Sequence, residues 1–208
     1  MTNTPDDILK RVSNLEVGDK SDAIYDDWSV TYDAHLLDQF GYISPALCAD
    51  IVAEKVADKA KPIIDYGCGT GLVGAALSTR GFESIDGIDL SAGMLTKASS
   101  KGVYRQLKCG DLTEAIDLPN NIYDAGVCIG SMGAGHVGSE HVPGLLAPIV
   151  SGGLFVVIMN AQYYELQGFN KKFLALERDK VWRIERHEKF NYMDKLERPG
   201  WLLVSYKC

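Results

Sequence analysis

Between residues 62 and 160, short apolar runs alternate with longer segments whose apolar residues recur at helical spacing. The short runs predict strands at 62–66, 84–89, 104–109, 123–130 and 154–159. The longer segments predict helices at 45–60, 71–80, 91–100 and 139–150. Strands that are joined by helices form a parallel sheet with helices on both faces.

The C-terminal part of the chain has a different pattern. A helical segment at 169–179 is followed by two strand-like runs, at 181–190 and 201–207, without a helix between them. Strands joined in this way can pair antiparallel. The sequence therefore predicts an α/β fold with a Rossmann-like, seven-stranded sheet that is mostly parallel and ends in an antiparallel C-terminal hairpin.

Composition and charge suit one ordinary domain. The chain has 208 residues, of which 46% are hydrophobic and 24% charged. No apolar run approaches the roughly 18 residues of a membrane span, so we expect no membrane partner. The formal net charge of −7 argues against a nucleic-acid partner, because phosphate contacts need clustered Lys and Arg.

The cysteines and the N-terminus bear on metals and location. The five cysteines form no C-x-x-C pair and no tight cluster with histidine, so we expect no metal site. Reduced thiols fit a cytoplasmic protein, and residues 1–7 lack the apolar stretch of a secretory signal. The sequence does not predict the oligomeric state.

A tight glycine turn follows the first strand. Asp65 precedes Gly67, Gly69 and Gly71, which occupy alternate positions before the next helix. Glycine adopts positive φ and has no Cβ to keep a ligand away, and a helix start offers unpaired N–H groups. The turn is predicted to bind a polar ligand. Residues 69–74 also fit the G-x-G-x-x-G dinucleotide fingerprint, but the carboxylate of Asp65 would repel a pyrophosphate and suits an ammonium group.

The ends of the next three strands carry further candidates. In open α/β sheets, ligands bind beyond the carboxyl ends of the strands. Asp89 ends the second strand, where an acid holds ribose hydroxyls, and Asp111 follows the third, where a carboxylate can accept from an adenine amine. Cys128 and Ile129 end the fourth. With the glycine turn, these residues predict one nucleoside-binding edge.

In combination, these motifs resemble the class I S-adenosylmethionine-dependent methyltransferases. The resemblance covers about residues 22–208. It rests on D-Y-G-C-G-T-G at 65–71, G-I-D-L-S at 87–91, G-M-L at 93–95, G-D-L at 110–112 and Y-D-A at 123–125.

Within this class, the chain is most similar to the Williams–Beuren syndrome chromosome region methyltransferase-like group. The likeness rests on Y-D-D-W-S-V-T-Y-D at 25–33 and C-G-T-G-L-V at 68–73. Ser29 departs from the usual Ala, and Ser151 from the Pro that is common before the double glycine.

The resemblance implies S-adenosyl-L-methionine as cofactor and S-adenosyl-L-homocysteine as product. It implies that Asp65 faces the methionine ammonium, that Asp89 binds the ribose and that Asp111 accepts from the adenine amine. The other cofactor-binding residues that it implies are Tyr25, Trp28, Tyr32, Gly67, Cys68, Gly69, Gly71, Leu90, Met94, Leu112, Cys128 and Ile129.

The resemblance also implies two parts of the chain. Residues 1–44 are expected to form an N-terminal helical lid, and residues 45–208 the S-adenosylmethionine-binding methyltransferase domain. Tyr25 and Tyr32 would reach the cofactor carboxylate. Alternatively, Tyr25, Trp28 and Tyr32 pack the aromatic face of a helix on the core, and both interpretations can hold together.

The activity implied is methyl transfer to a small-molecule acceptor by in-line displacement. Catalysis can come largely from placing the acceptor about 3 Å from the methyl group, and a general base matters only for a protonated acceptor. His136, in the glycine-rich loop after the fourth strand, is the catalytic candidate; a solvent-facing loop histidine is the alternative. The predicted acceptor pocket comprises Tyr25, Trp28, Met132, His136, Asn160, Tyr163 and Tyr164.

Two other functions stay open at this point. A protein that binds S-adenosylmethionine or its product without transferring methyl would need the same nucleotide site. An NAD-dependent oxidoreductase would explain residues 69–74 and Asp89, but not Asp65, Asp111 or the terminal hairpin.

Overall fold

The computed structural model describes residues 22–133 and 137–208. The strands are β1 (Ile63–Tyr66), β2 (Ile85–Asp89), β3 (Gln106–Cys109), β4 (Tyr123–Ile129), β5 (Ile149–Asn160), β6 (Trp182–Asn191) and β7 (Pro199–Lys207). They form a seven-stranded sheet in the order β3-β2-β1-β4-β5-β7-β6. The first five strands are parallel, and β7 runs antiparallel between β5 and β6. The predicted fold class is confirmed.

Helices lie before the sheet and between its strands. The α-helices are α1 (Asp22–Trp28), α2 (Ser44–Lys55), α3 (Leu72–Ser78), α4 (Ala92–Ser100), α5 (Val142–Leu146), α6 (Ala161–Leu166) and α7 (Phe169–Arg178). A π-helix spans Ala34–Gln39, and a 3₁₀-helix spans Ser139–His141. Within the described chain, none of these helices is long and apolar enough to cross a membrane.

The central strands fill two hydrophobic cores, one on each face of the sheet. Ile64 and Phe155 belong to the core that includes residues of α5 and α7, whereas Ile63 and Val156 belong to the core that includes residues of α2 and α3. Successive side chains of a strand point to opposite faces, so a continuous apolar run serves both cores. Each such buried side chain contributes about 1.5–3 kcal/mol, which holds the strand ends in place.

The helix ends near the glycine turn follow local sequence signals. The Oγ of Ser91 accepts a hydrogen bond from the N–H of Met94 at 3.0 Å, which caps α4. Gly81 lies just after α3 with φ of +90°, a left-handed conformation that glycine adopts without strain.

Helix α2 is shorter than the predicted segment 45–60. It ends at Lys55 because Val56 turns to an extended conformation, with φ of −109° and ψ of 97°. The Nζ of Lys59 then donates to the carbonyl oxygens of Ala53 and Val56, at 2.8 and 2.7 Å. A side chain thus satisfies carbonyl groups that the helix leaves open.

The helix predicted at 139–150 is also shorter. After α5, the chain enters β5 at Ile149, which pairs with Tyr123 of β4. A register shift between Tyr123 and Ala125 accommodates Gly152, whose φ is +75°. Strand β5 therefore begins before the predicted run at 154–159.

The N-terminal segment packs against the tip of the hairpin. Trp28, Leu36 and Phe40 form a third apolar cluster with Met193, which lies between β6 and β7. An isolated antiparallel bridge joins Tyr42 to the same Met193. We call residues 22–40 the lid segment. Residues 1–21 of the predicted helical lid lie outside the described residues. The π-helix was not predicted, because the spacing of apolar residues over so few positions does not distinguish it from an α-helix.

Candidate functional site

The glycine turn has the backbone conformation that its sequence predicts. Gly67, Gly69 and Gly71 have φ of +67°, +54° and +88°. The N–H groups of Gly67 and Cys68 both donate to the carbonyl oxygen of Ile88, at 2.8 and 3.0 Å, which ties the turn to β2. A Cβ at Gly67 would lie 2.0 Å from the Oγ of Ser131, whereas a Cβ at Gly69 would meet no atom within 4 Å. The backbone at Gly69 therefore faces open space.

Asp89 connects the glycine turn to the start of α4. Its Oδ2 accepts from the N–H of Gly69 at 2.8 Å, and its Oδ1 accepts from the N–H of Ser91 at 2.9 Å. Burial raises the pKa of Asp89, and the backbone hydrogen bonds oppose this. The carboxylate is held at the carboxyl end of β2, at the edge of the sheet where ligands bind in this class of fold.

Asp65 lies beneath the turn rather than on its open side. The residue is 1% exposed, and its Oδ2 accepts from the hydroxyl of Tyr104 at 2.7 Å. The hydroxyl oxygen of Tyr104 in turn accepts from the N–H of Gly74 at 3.2 Å. Burial raises the pKa of Asp65 to about 7. Sequence reasoning missed Tyr104, because nothing in its local pattern relates it to a carboxylate 39 positions away.

Asp111 lies beside Asp89 in the register of the sheet. Asp89 pairs with Cys109, and the N–H of Gly110 donates to the carbonyl oxygen of Asp89 at 3.0 Å. Asp111 is exposed, and its Oδ1 accepts from the N–H and the hydroxyl of Thr113 at 2.8 and 2.6 Å. The three predicted acids thus belong to adjacent strand ends, with Asp65 buried and Asp111 open to solvent.

The other predicted cofactor residues differ in accessibility. Leu90 is 44% exposed beside Asp89, so its side chain is available to a ligand. Cys68, Met94, Leu112, Cys128 and Ile129 are buried, with exposed fractions between 0% and 8%. Burial raises the pKa of the thiols of Cys68 and Cys128, so both stay neutral and act as small apolar groups. Their roles toward a cofactor stay predictions.

Two aspartates anchor the lid segment over this edge. Asp26 accepts from the hydroxyl of Ser91 and, at 2.9 Å, from the N–H of Gly93 at the start of α4. Asp33 accepts from the hydroxyl of Thr70 and, at 2.7 Å, from the Nζ of Lys101. Both aspartates belong to the segment 25–33 that carries the family resemblance, but no role was predicted for either.

An aromatic pocket opens between the lid segment, the ends of β4 and β5, and the hairpin. Its volume is about 110 Å³. The residues that line it are Tyr25, Trp28, Tyr32, Leu36, Tyr42, Gly130, Met132, Ile158, Met159, Asn160, Tyr163, Tyr192, Met193 and Arg198.

The pocket contains most of the predicted acceptor residues. Tyr164 is an exception: it is 2% exposed and stacks on Trp201, with ring centroids 4.6 Å apart. Its prediction as a pocket residue is wrong, because its neighbour Tyr163 takes the pocket-facing position of α6. The catalytic candidate, His136, lies outside the described residues. Sequence reasoning missed the contribution of Tyr192 and Arg198, since it treated 191–200 only as a connection between strands.

The tyrosines of the pocket are neutral hydrogen-bonding groups. Burial raises the pKa of Tyr25, Tyr32 and Tyr42 above the usual range of a phenol. Trp28 is also held in place, because its Nε1 donates to the Nδ1 of His35 at 2.9 Å. Within residues 22–133 and 137–208, no group of three His, Cys, Asp or Glu is placed to hold a metal ion.

Comparisons with known proteins point to one enzyme class. Residues 63–151 match the family model described as a methyltransferase domain. Methyltransferase-like protein 27 of Homo sapiens is 33% identical over 124 residues, which are 58% of this chain and 50% of that protein. The 18S rRNA (guanine-N(7))-methyltransferase RID2 of Arabidopsis thaliana is 36% identical over 70 residues, 34% of this chain and 24% of that protein.

The fold agrees with these matches. The crystal structure of an S-adenosylmethionine-dependent methyltransferase from Mesorhizobium loti has a TM-score of 0.58 and 20% identity, over 77% of this chain and 100% of that one. This chain, however, spans half or less of the curated relatives that it matches.

One prediction needs correction. The Arabidopsis relative is named for a nucleic-acid substrate, 18S rRNA, so the exclusion of nucleic acid is wrong. The exclusion rested on the net charge, which averages over the whole surface and does not describe what enters a local pocket. The resemblance to methyltransferases, by contrast, is supported: residues 63–151 match the methyltransferase domain model, and the human relative is named a methyltransferase-like protein.

Proposed function

We propose that this protein transfers the methyl group of S-adenosyl-L-methionine to a small organic acceptor by in-line displacement. The observation that carries the proposal is the edge of the sheet at Gly69 and Asp89. There the backbone of a glycine faces open space, and a carboxylate lies beside it under the lid segment. The aromatic pocket beside this edge is the proposed acceptor site.

The residues of this edge fit the cofactor. Open space faces Gly69, so a ligand can approach the backbone without meeting a side chain. Asp89 already accepts two N–H groups, and the same acceptor chemistry suits ribose hydroxyls. Asp111 is exposed and suits an adenine amine. When bound, S-adenosylmethionine supplies an electrophilic methyl group on a sulfonium with a neutral leaving group.

The remaining task of the chain is to bind, orient and exclude water. Asp26 and Asp33 hold the lid segment against α4 and the glycine turn. Trp28 and Met132 present apolar surface to the pocket, which displaces water from an acceptor. Holding the acceptor in a reactive orientation supplies much of the rate enhancement.

We also propose His136 as the general base for an acceptor that arrives protonated. The flanks of its loop support this assignment, since Met132 and Val137 pair in an isolated bridge and Met132 lines the pocket. A Cβ at Gly133 would lie 3.0 Å from the ring of Tyr163, so the loop starts against the pocket wall.

Three finer assignments belong to the same proposal. Residues 1–44 act as the lid and residues 45–208 as the cofactor-binding domain; in support, α2 starts at Ser44. The chain belongs to the Williams–Beuren syndrome chromosome region methyltransferase-like group, on the segment 25–33. The protein acts in the cytoplasm; in support, its five cysteines are free thiols.

Calorimetry tests the cofactor part of the proposal. We expect the full chain to bind S-adenosylhomocysteine and not NADH. Asp89→Asn should weaken this binding about tenfold, because a charge-assisted acceptor becomes a neutral one. Asp124→Asn is the matched control, since Asp124 pairs with Lys61 at the amino end of β4. No heat with S-adenosylhomocysteine or S-adenosylmethionine would refute the proposal.

A transfer screen with methyl-labelled cofactor tests the acceptor part. One arm contains small organic molecules and a second contains an 18S rRNA fragment, and mass spectrometry finds the labelled product. Label on a small molecule is the expected result. Label on the RNA alone would overturn the small acceptor but not methyl transfer. Binding of S-adenosylhomocysteine with no transfer in either arm would favour a binding protein without transferase activity.

A further inference from the structure

We propose that the aromatic pocket recognises an anionic group through Arg198, so that the methyl acceptor is an amphipathic organic anion. The inference rests on the proposed function, because it treats this pocket as the acceptor site. It adds the chemical class of the acceptor, a carboxylate or phosphate attached to an apolar body.

The wall of the pocket has one charge. Among the described residues that line it, Arg198 is the only one with a formally charged side chain. The others are aromatic, aliphatic or thioether side chains, one glycine and the amide of Asn160. A single cation in a pocket without carboxylates stands out in a chain whose net charge is −7.

The backbone of Arg198 is fixed at the hairpin tip. Its N–H donates to the Oδ1 of Asn191 at 2.8 Å, and its carbonyl oxygen accepts from the N–H of Tyr192 at 3.1 Å. The guanidinium therefore extends from a constrained position, which reduces the entropy lost when it binds a ligand.

Arg198 differs from the other arginines of the described chain in its partners. Four of them form ion pairs with carboxylates, namely Arg80, Arg105, Arg178 and Arg186. Arg183 lies over the ring of Tyr206, 4.7 Å from its centroid. Within residues 22–133 and 137–208, Arg198 has no carboxylate within 4.0 Å and no such ring partner. Its five N–H donors are available to a planar anion.

A second donor lies next to Arg198. The Nδ2 of Asn160 donates to the hydroxyl oxygen of Tyr192 at 3.1 Å, and the Oδ1 of Asn160 is held by the N–H of Gln162 at 2.7 Å. The hydroxyl of Tyr192 thus receives one hydrogen bond and keeps its own proton to donate. A guanidinium and a phenol together suit carboxylate or phosphate oxygens.

The rest of the pocket suits an apolar body of limited size. Trp28, Met132 and Met159 supply apolar wall. A volume of about 110 Å³ is close to that of a single ring, since an apolar cavity of roughly 150 Å³ binds benzene.

Three small probes test the proposal directly: phenylacetate, phenyl phosphate and the neutral phenylacetamide. Each is titrated into the full chain saturated with S-adenosylhomocysteine, and binding is read by calorimetry and by the indole N–H resonance of Trp28. We expect at least one anion to bind about tenfold more tightly than phenylacetamide, because hydrogen bonds between charged groups are stronger than neutral ones. The better anion distinguishes a carboxylate acceptor from a phosphate acceptor.

Variants assign the preference to the guanidinium. Arg198→Met should reduce anion binding to the level of phenylacetamide, and Arg198→Lys should retain part of the preference because it keeps the charge but loses the planar fork. Arg183→Met is the matched control, since it removes the same charge from the same hairpin away from the pocket. S-adenosylhomocysteine affinity, measured on each sample, should stay within about twofold of the wild type.

Several results would overturn the inference. These are equal binding of the three probes to the wild-type chain, no binding of either anion, or an anion preference that survives in Arg198→Met. Loss of S-adenosylhomocysteine affinity in Arg198→Met with unchanged probe binding would assign Arg198 to the cofactor carboxylate instead. The wild-type comparison needs no variant, so it decides even if Arg198→Met does not fold. If the wild-type chain binds no S-adenosylhomocysteine, the proposed function fails rather than this step alone.

Discussion

The two halves of the candidate site are built in different ways. The edge at Gly69 and Asp89 is made of strand ends and one short turn, held by backbone hydrogen bonds such as those from Gly67 and Cys68 to the carbonyl oxygen of Ile88. The aromatic pocket is made of side chains from four separate parts of the chain: the lid segment with the nearby Tyr42, the loop after β4, the end of β5 with α6, and the hairpin tip. Backbone fixes the first half and side-chain packing fixes the second.

This difference in construction fits a division of roles, with cofactor binding at the edge and acceptor specificity in the pocket. A site made of glycine backbone and one carboxylate accepts a particular ligand shape. It tolerates little change in sequence, because any side chain added there would occupy the space of the ligand. A pocket of side chains on loops and a lid can vary while the sheet stays the same. We therefore expect changes at the edge to alter cofactor affinity and changes in the pocket to alter turnover and acceptor choice.

The largest expected effect tests this separation at the pocket. His136→Ala should lower kcat by about 10²–10⁴, because general base catalysis contributes in that range when the acceptor must lose a proton. The dissociation constant of S-adenosylhomocysteine should stay nearly unchanged. Turnover is measured with the acceptor that the labelled screen identifies, and the affinity by calorimetry. A parallel loss of both would make His136 a structural residue.

Two glycines of the turn test the separation at the edge. Gly67→Ala should destabilise the fold by about 2–5 kcal/mol, from left-handed strain and a clash with the Oγ of Ser131. Gly69→Ala should cost only about 1–2 kcal/mol of strain, since open space faces that position, yet a Cβ there would block the approach of the cofactor.

Urea unfolding and calorimetry with S-adenosylhomocysteine distinguish the two variants. The expected pattern is a folded Gly69→Ala protein that has lost cofactor affinity. If Gly69→Ala binds S-adenosylhomocysteine like the wild type, the open side of the turn is not the ligand surface.

The contrast also explains what the sequence can predict. The apolar runs predicted the strands and their order along the chain. The absence of a helix between the last two strands then predicted the antiparallel hairpin that ends the parallel sheet. Ser91 as a helix cap and the glycines as left-handed positions follow from chemistry within a few residues. Local rules such as these survive folding because the contacts that they describe are local.

The pocket and the anchors of the lid segment escape such rules. The pairs Asp65–Tyr104 and Asp33–Lys101 join residues that are far apart along the chain, as does the contact of Asn160 with Tyr192. No spacing in the sequence relates their members, so only the packed fold reveals them. The position of Tyr164 shows the same limit, since one residue of offset on α6 separates pocket from core.

The pH dependence of stability gives a smaller effect, at the buried part of the edge. The pKa of Asp65 rises from an ordinary 3.8 to about 7 on folding. Between these values the native state holds a proton that the unfolded chain has lost, so the free energy of unfolding should fall as pH rises through this window. The slope from one group is at most about 1.4 kcal/mol per pH unit.

Urea unfolding of the wild type and Asp65→Asn across this window isolates the contribution, because Asp89, whose pKa burial also raises, is present in both. The difference between the two proteins should favour the wild type most at the acidic end. Tyr104→Phe should extend the fall to higher pH, since it removes a hydrogen bond that lowers the pKa of Asp65. A difference that is flat or grows with pH would contradict this account.

The smallest expected effect lies at the anchor of the lid segment, where the two halves of the site meet. Asp33→Ala removes the bonds to Thr70 and Lys101, a partly exposed ion pair of the kind worth about 0.2–1 kcal/mol. If the lid segment closes over the cofactor, S-adenosylhomocysteine affinity should fall by about two- to fivefold, and the difference from the wild type should shrink at high salt. Asp27→Ala is the matched control, because Asp27 is an exposed aspartate of the same segment. Equal affinity of Asp33→Ala and Asp27→Ala at low salt would mean that lid docking is not coupled to the cofactor. The lid segment would then belong to the pocket alone, and the two halves of the site would act independently.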